Sequence, residues 1–248
     1  MASHPAVTAL RRSHDNLQAL VAPLTPDQVR DRSYASEWSI AQVLSHLGSG
    51  AVIGSLNLDA LLADRPAPGR EQYEAVWDEW NAKTPDAQAA DVLPADERLV
   101  AGYEALDDDR LAALRTTLGP MELDGPGMVR MRLSEHALHT WDVAVALDPA
   151  AVVEPLAVTQ IVDNLAMIVG FAAKPLDAAE RIVVATTAPE RRFVLDSAER
   201  VTLAPATDDD GPAGVTLPAE ALVRLVYGRL EPTGDQAIDR LLGMFPGF

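Results

Sequence analysis

The chain has 248 residues, 48% of them apolar and 5% aromatic, enough to bury one large core or two ordinary ones. Its formal net charge is −17, and a surface this acidic repels phosphate backbones, so no nucleic-acid partner is expected. There is no cysteine, which excludes disulfides, thiolate metal ligands and a protein-borne thiol nucleophile.

The N-terminal MASHPAVTALRRSHD lacks the long apolar core of a signal peptide. No run of about 18 apolar residues occurs anywhere, so a cytoplasmic protein with no membrane association is expected. Residues 5–20 read as a first helix, because Val7, Leu10, His14, Leu17 and Val21 form one apolar stripe. His14 on that stripe reads as a core or pocket-edge histidine, hydrogen-bonded locally.

Pro23 and Pro26 end that segment. Ser39 followed by Gln42 is a capping-box signature, and Trp38 can pack back near Val43 as a hydrophobic staple. The helix that follows runs towards Leu62 and carries His46 at the edge of its apolar face. Residues 69–83 read as a short amphipathic segment with Tyr73, Val76, Trp77 and Trp80 on one side, as core or as a pocket wall. A further helix is predicted over 95–118, broken near the acidic triplet at 107–109. That triplet and the one at 208–210 read as solvated turns, since neither has the ligand spacing of a calcium loop. GPMELDGPGM is a turn-rich interruption before a helix over 129–147. Four main helices without a convincing strand describe an antiparallel bundle over residues 1–148.

A linker at 147–155 separates this bundle from a different pattern. Residues 156–172 read as helical. Three short β-branched runs follow, RIVVATT, RRFVLD and RVTLAP. Pro218 opens a helix that Gly228 terminates, and a last helix lies near 235–244. Strands flanked by helices give residues 149–248 an α+β character. No internal repeat links the halves.

The chemistry centres on SEHALHTWD, which puts Glu135 and His139 at i and i+4 of one helical face. A carboxylate and an imidazole so stacked can share one metal ion, with His46 as the third ligand from a second helix. Neutral imidazole and carboxylate suit zinc and related divalent ions. Three protein ligands leave positions open, as catalytic rather than structural zinc sites do. His136 points about a quarter-turn away and reads as a flank. Asp142, i+3 from His139, reads either as an orienting partner of its ring or as a surface charge.

SEWSIAQVLSHL, including Trp38 and His46, resembles a signature of the mycothiol-dependent maleylpyruvate isomerase family, within the wider DinB-like group of metal-binding four-helix bundles. SEHALHTWD resembles that family's second signature. LVRLVYGRL resembles the segment closing its smaller C-terminal domain of sterol-carrier-like α+β fold. The resemblance implies a DinB-like four-helix bundle followed by that smaller domain. It implies His46, Glu135 and His139 as metal ligands, mycothiol as thiol cofactor, and Arg229 as a catalytic residue at the site.

From these readings the expected function is a metal-dependent enzyme. A coordinated thiol loses its proton and attacks a small electrophile, in an isomerase or an S-transferase. Arg229 would hold a substrate carboxylate or enolate; otherwise it is a helix-end charge. A metal-dependent hydrolase using bound water and a non-catalytic small-molecule-binding protein stay open, since fold does not fix function. Monomer and homodimer are equally compatible with the sequence.

Overall fold

The structure, a computed structural model, describes residues 4–35, 37–118, 121–176 and 179–247. The chain divides into two compact units, Met1–Ala157 and Val158–Phe248; the sequence pattern places the boundary somewhat earlier, at 148/149.

In the first unit, α1 (Pro5–Val21), α2 (Ile40–Leu62), α3 (Arg70–Ala82) and α4 (Pro85–Glu104) are followed by α5 (Asp108–Ala113), a hairpin of β1 (Arg115–Leu118) and β2 (Met121–Asp124), and α6 (Gly125–Leu147). The bundle consists of α1, α2, α4 and α6: α1 packs on α4 and α6, and α2 on α4 and α6. The stripe read in α1 faces inward, with Val7, Leu10, His14, Leu17 and Val21 all buried. Leu17, Ile40, Leu44, Leu47, Val92 and Val143 belong to one core cluster. Burying each such leucine contributes roughly 2 kcal/mol.

The start of α2 follows the expected local chemistry. Ser39 Oγ accepts from the Gln42 amide, and the Gln42 side chain accepts from the Ser39 amide. This satisfies two donors that a helix N-terminus leaves open. Trp38 packs against the core cluster that contains Val43, as a staple would. Beside His46 on α2, α3 is seated by a close approach. The Trp80 ring lies where a Gly48 side chain would be, 2.2 Å from an added Cβ. The Trp80 carbonyl accepts from Ser45 Oγ and Gln88 Nε2, which fixes α3 between α2 and α4.

Two expectations for this unit are corrected. Pro94 lies inside α4 rather than before it. It and Ala90, whose carbonyl loses its helical donor, are both exposed, so water can satisfy that carbonyl. The segment after Ala113 is a strand, not helix: Thr116 and Thr117 are β-branched, and β1 pairs antiparallel with β2. Gly119 and Pro120 of the turn-rich interruption lie outside the described residues. Of the α3 aromatics only Trp80 is buried, while Trp77 is 44% exposed.

α7 (Pro155–Val162) carries the boundary, and α8 (Leu165–Ala172) follows; the helix expected over 156–172 is interrupted at Asp163 and Asn164. The second unit holds a four-stranded sheet of order β5-β4-β3-β6, with β3 (Arg181–Thr187), β4 (Arg191–Asp196), β5 (Thr202–Pro205) and β6 (Val215–Pro218). β4 pairs antiparallel with β3 and β5, and β6 runs parallel to β3. Val184 stands opposite Phe193 on one side and Val215 on the other, and all three are buried. α9 (Ala219–Val226) packs on β3, β6 and α8, and α10 (Gln236–Leu242) follows it. VTLP is thus a fourth strand that the β-branched pattern did not single out, and Pro218 caps α9 from outside. Gly228 ends that helical run with φ +66°, as expected of a terminator. The fold class is as read: a helical bundle unit, then a smaller α+β unit. No single helix among the described residues is long and apolar enough to cross a membrane.

Candidate metal centre

α2 and α6 bring His46, Glu135 and His139 together. One donor atom from each lies within 4.8 Å of the other two. His46 Nε2 stands 3.3 Å from Glu135 Oε2, and His139 Nε2 stands 3.7 Å from the same oxygen. The two imidazole centroids are 4.7 Å apart with rings inclined by 72°, so both Nε2 atoms are presented to one carboxylate oxygen. The i, i+4 spacing on α6 positions Glu135 and His139 locally; only the packing of α2 on α6 adds His46.

The loop before α2 supplies a wall. Ser33 donates from both its amide and its hydroxyl to the Trp38 carbonyl. The Trp38 ring then sits 5.2 Å from that of His46 and 5.9 Å from that of His139. Asp142 is buried, with Oδ2 2.8 Å from His139 Nδ1. The choice between an orienting partner and a surface charge is thereby decided in geometry: Asp142 takes Nδ1 and leaves Nε2 for the centre. The backbone here is tied down as well, since the Tyr34 amide donates to the Asp142 carbonyl.

The electrostatics fit ligation. The Glu135 side chain is 48% exposed; partial desolvation by its neighbours raises its pKa, but the His46 hydrogen bond and the nearby His139, His46 and Arg132 outweigh that and hold the carboxyl below its usual value. Burial is also the largest influence on His139; with His46 alongside, it lowers the imidazole pKa against the opposing Asp142 hydrogen bond. An ionised carboxylate and a neutral imidazole are the forms that bind a divalent ion. Donor chemistry, spacing and the fixed His139 tautomer all suit zinc or a related ion.

His14 and His136 are not part of this cluster. His14 is buried, with Nδ1 2.8 Å from Asp96 Oδ2 and Nε2 3.1 Å from Glu97 Oε2; its partners come from α4, 82 and more residues away, not from local sequence. His136 is fully buried, with Nδ1 2.7 Å from Ser13 Oγ. Its Nε2 stands 2.9 Å from Asp96 Oδ2, close enough for an ion pair though off hydrogen-bond alignment. Burial alone would raise the Asp96 pKa; the attraction of His136, the His14 hydrogen bond and Arg132 together hold it well below the usual carboxylate range. Sequence reasoning missed Asp96 and Arg132. The available signal was Asp96 on the stripe Val92, Asp96, Leu99, Val100 and Tyr103 of α4, all buried. Arg229 lies in the turn after α9, half-buried, and donates from Nη1 to the Tyr227 carbonyl.

A sequence-family model described as the mycothiol maleylpyruvate isomerase N-terminal domain matches residues 10–144, more than half of the chain. Among solved structures, a crystal structure of the mycothiol-dependent maleylpyruvate isomerase is similar at TM-score 0.63 and 16% identity, covering 90% of this chain and 88% of that one. A crystal structure of a histidine-to-alanine mutant of that enzyme gives TM-score 0.62 and 17% identity, with the same coverage. No curated protein matches the sequence.

Proposed function

We propose, from the premise that this chain belongs to the mycothiol maleylpyruvate isomerase family, that it is a divalent-metal enzyme of zinc type that uses mycothiol on a small electrophile, as an isomerase or S-transferase. The observation that carries this reading is the convergence of His46, Glu135 and His139 on one point.

His46, Glu135 and His139 would hold the ion, and three protein ligands leave room for exogenous groups. When bound, such an ion would lower the pKa of a coordinated thiol and so provide the nucleophile at neutral pH. Mycothiol would bring the thiol that a cysteine-free chain lacks. The chain's own work is positional and electrostatic. Glu135 stays ionised. Asp142 fixes the tautomer of His139. Trp38 packs beside the two imidazoles on one side. Arg229 is proposed as the catalytic residue that binds a substrate carboxylate or enolate as charge develops, the task for which a guanidinium fork is suited.

The test has two arms. Purified protein should hold about one equivalent of zinc, and His46→Ala should lose it. Turnover of an electrophilic cis-alkene diacid or a related acceptor should require added mycothiol. Thiol-independent hydrolysis of an ester or amide acceptor would replace this reading with metal-dependent hydrolysis. Metal binding with no thiol-dependent turnover of any acceptor would leave a binding protein.

A further inference from the structure

The metal reading accounts for three side chains and their orienting aspartate but not for the buried cluster behind them. Asp96, on α4, is fully buried. Its Oδ1 accepts from Arg132 Nη2 at 2.8 Å. Its Oδ2 faces His14 Nδ1 of α1 at 2.8 Å and His136 Nε2 of α6 at 2.9 Å. Arg132 and His136 stand on either side of Glu135 along α6, one turn before it and one residue after it. The same Arg132 Nη2 also donates to the Leu47 carbonyl at 2.9 Å, the residue directly after His46. Gly50, one turn beyond His46, is bare where the guanidinium passes: an added Cβ would stand 3.0 Å from Arg132 Nη1.

A single carboxylate therefore grips α6 on both sides of one ligand and, through Arg132, the α2 backbone beside another. Stability is a poor explanation for such a cluster. A buried ion pair carries a desolvation cost that well-packed apolar residues avoid. What it does supply is register, because Arg132 and His14 are held by directional hydrogen bonds and His136 by a close charge contact. We propose that Asp96, acting through Arg132 and His136, is a positioning residue that sets the separation of His46 from Glu135 and His139, and so tunes metal affinity. This rests on the metal reading above.

The experiment is titration of metal-free protein with Co²⁺ at 25 °C, followed by d–d absorption, for wild type, Asp96→Asn, Arg132→Lys and His46→Ala, each first shown to be folded by circular dichroism. Asp96→Asn keeps the volume but removes the charge. Arg132→Lys keeps the charge but loses the fork that bridges Asp96 and Leu47, and it answers the question should Asp96→Asn fail to fold. The expected result is Co²⁺ affinity about 10-fold weaker in both, within the usual range for residues supporting a metal ligand, with an altered d–d spectrum. A purely structural role would lower the melting temperature and leave the affinity and the spectrum of the folded protein as in wild type. That outcome, with His46→Ala still losing Co²⁺, overturns the positioning role and keeps the metal site. Wild-type Co²⁺ binding by His46→Ala overturns the metal site itself, and the positioning role with it.

Discussion

The carboxylate of Asp142 lies 2.8 Å from Nδ1 of His139, its neighbour one turn back along α6. That contact decides which ring nitrogen faces Glu135, and it is made entirely within one helix. Asp142→Ala frees the ring to rotate and to change tautomer. Zinc affinity should fall by about 10–100-fold, read by competition with a chromophoric chelator. Affinity equal to wild type would mean that the packing around His139, not Asp142, holds the ring.

Arg229 leads to a different expectation, because it is proposed to act on substrate and not on the ion. Arg229→Ala should keep its zinc and lose about 10–100-fold in kcat/KM, the worth of one charge-assisted hydrogen bond. Metal content and steady-state kinetics on the same preparation check both halves. Unchanged kinetics would remove Arg229 from the reaction.

The close seating of Trp80 on Gly48 predicts sensitivity to a single methyl group. Gly48→Ala places a Cβ 2.2 Å from the indole, and neither the ring nor the helix can yield without moving α3. A loss of about 1–3 kcal/mol is expected, as for other overpacked cores, measured by urea unfolding followed by tryptophan fluorescence.

Acid should expose the contribution of Asp96. Its pKa in the folded chain is held well below the ordinary value: burial opposes this, but His136, His14 and Arg132 prevail. A depressed native pKa means stability that is fully present above the unfolded carboxylate pKa of about 3.9. That stability disappears as the pH falls through the lower native value. In urea unfolding from pH 7 downward, wild type should therefore lose more stability below about pH 4 than Asp96→Asn does. Parallel curves would assign the acid limb to other carboxylates.

Local rules reached much of this molecule. The capping box at Ser39 and Gln42, the inward stripe of α1 and the three β-branched runs of the second unit depend on residues within a few positions of each other, and each is found, the third run as a strand only from Thr202. Pro94 misled because a proline's cost depends on whether water reaches the carbonyl it strands, which is a property of the packed helix. The hairpin of β1 and β2 and the strand β6 escaped notice because these short runs lie directly against turn or helix signals; pairing partners define them.

The same division runs through the site. Sequence by itself determined that Glu135 and His139 share a face and that Asp142 can reach the ring between them, because one helix's geometry dictates all three. Whether His46 would join them, and whether Asp96 would turn inward to gather His14, Arg132 and His136, was decided only when α1, α2, α4 and α6 packed together. Side chains tens of residues apart meet where buried surfaces fit best, and no spacing along the chain encodes that fit directly.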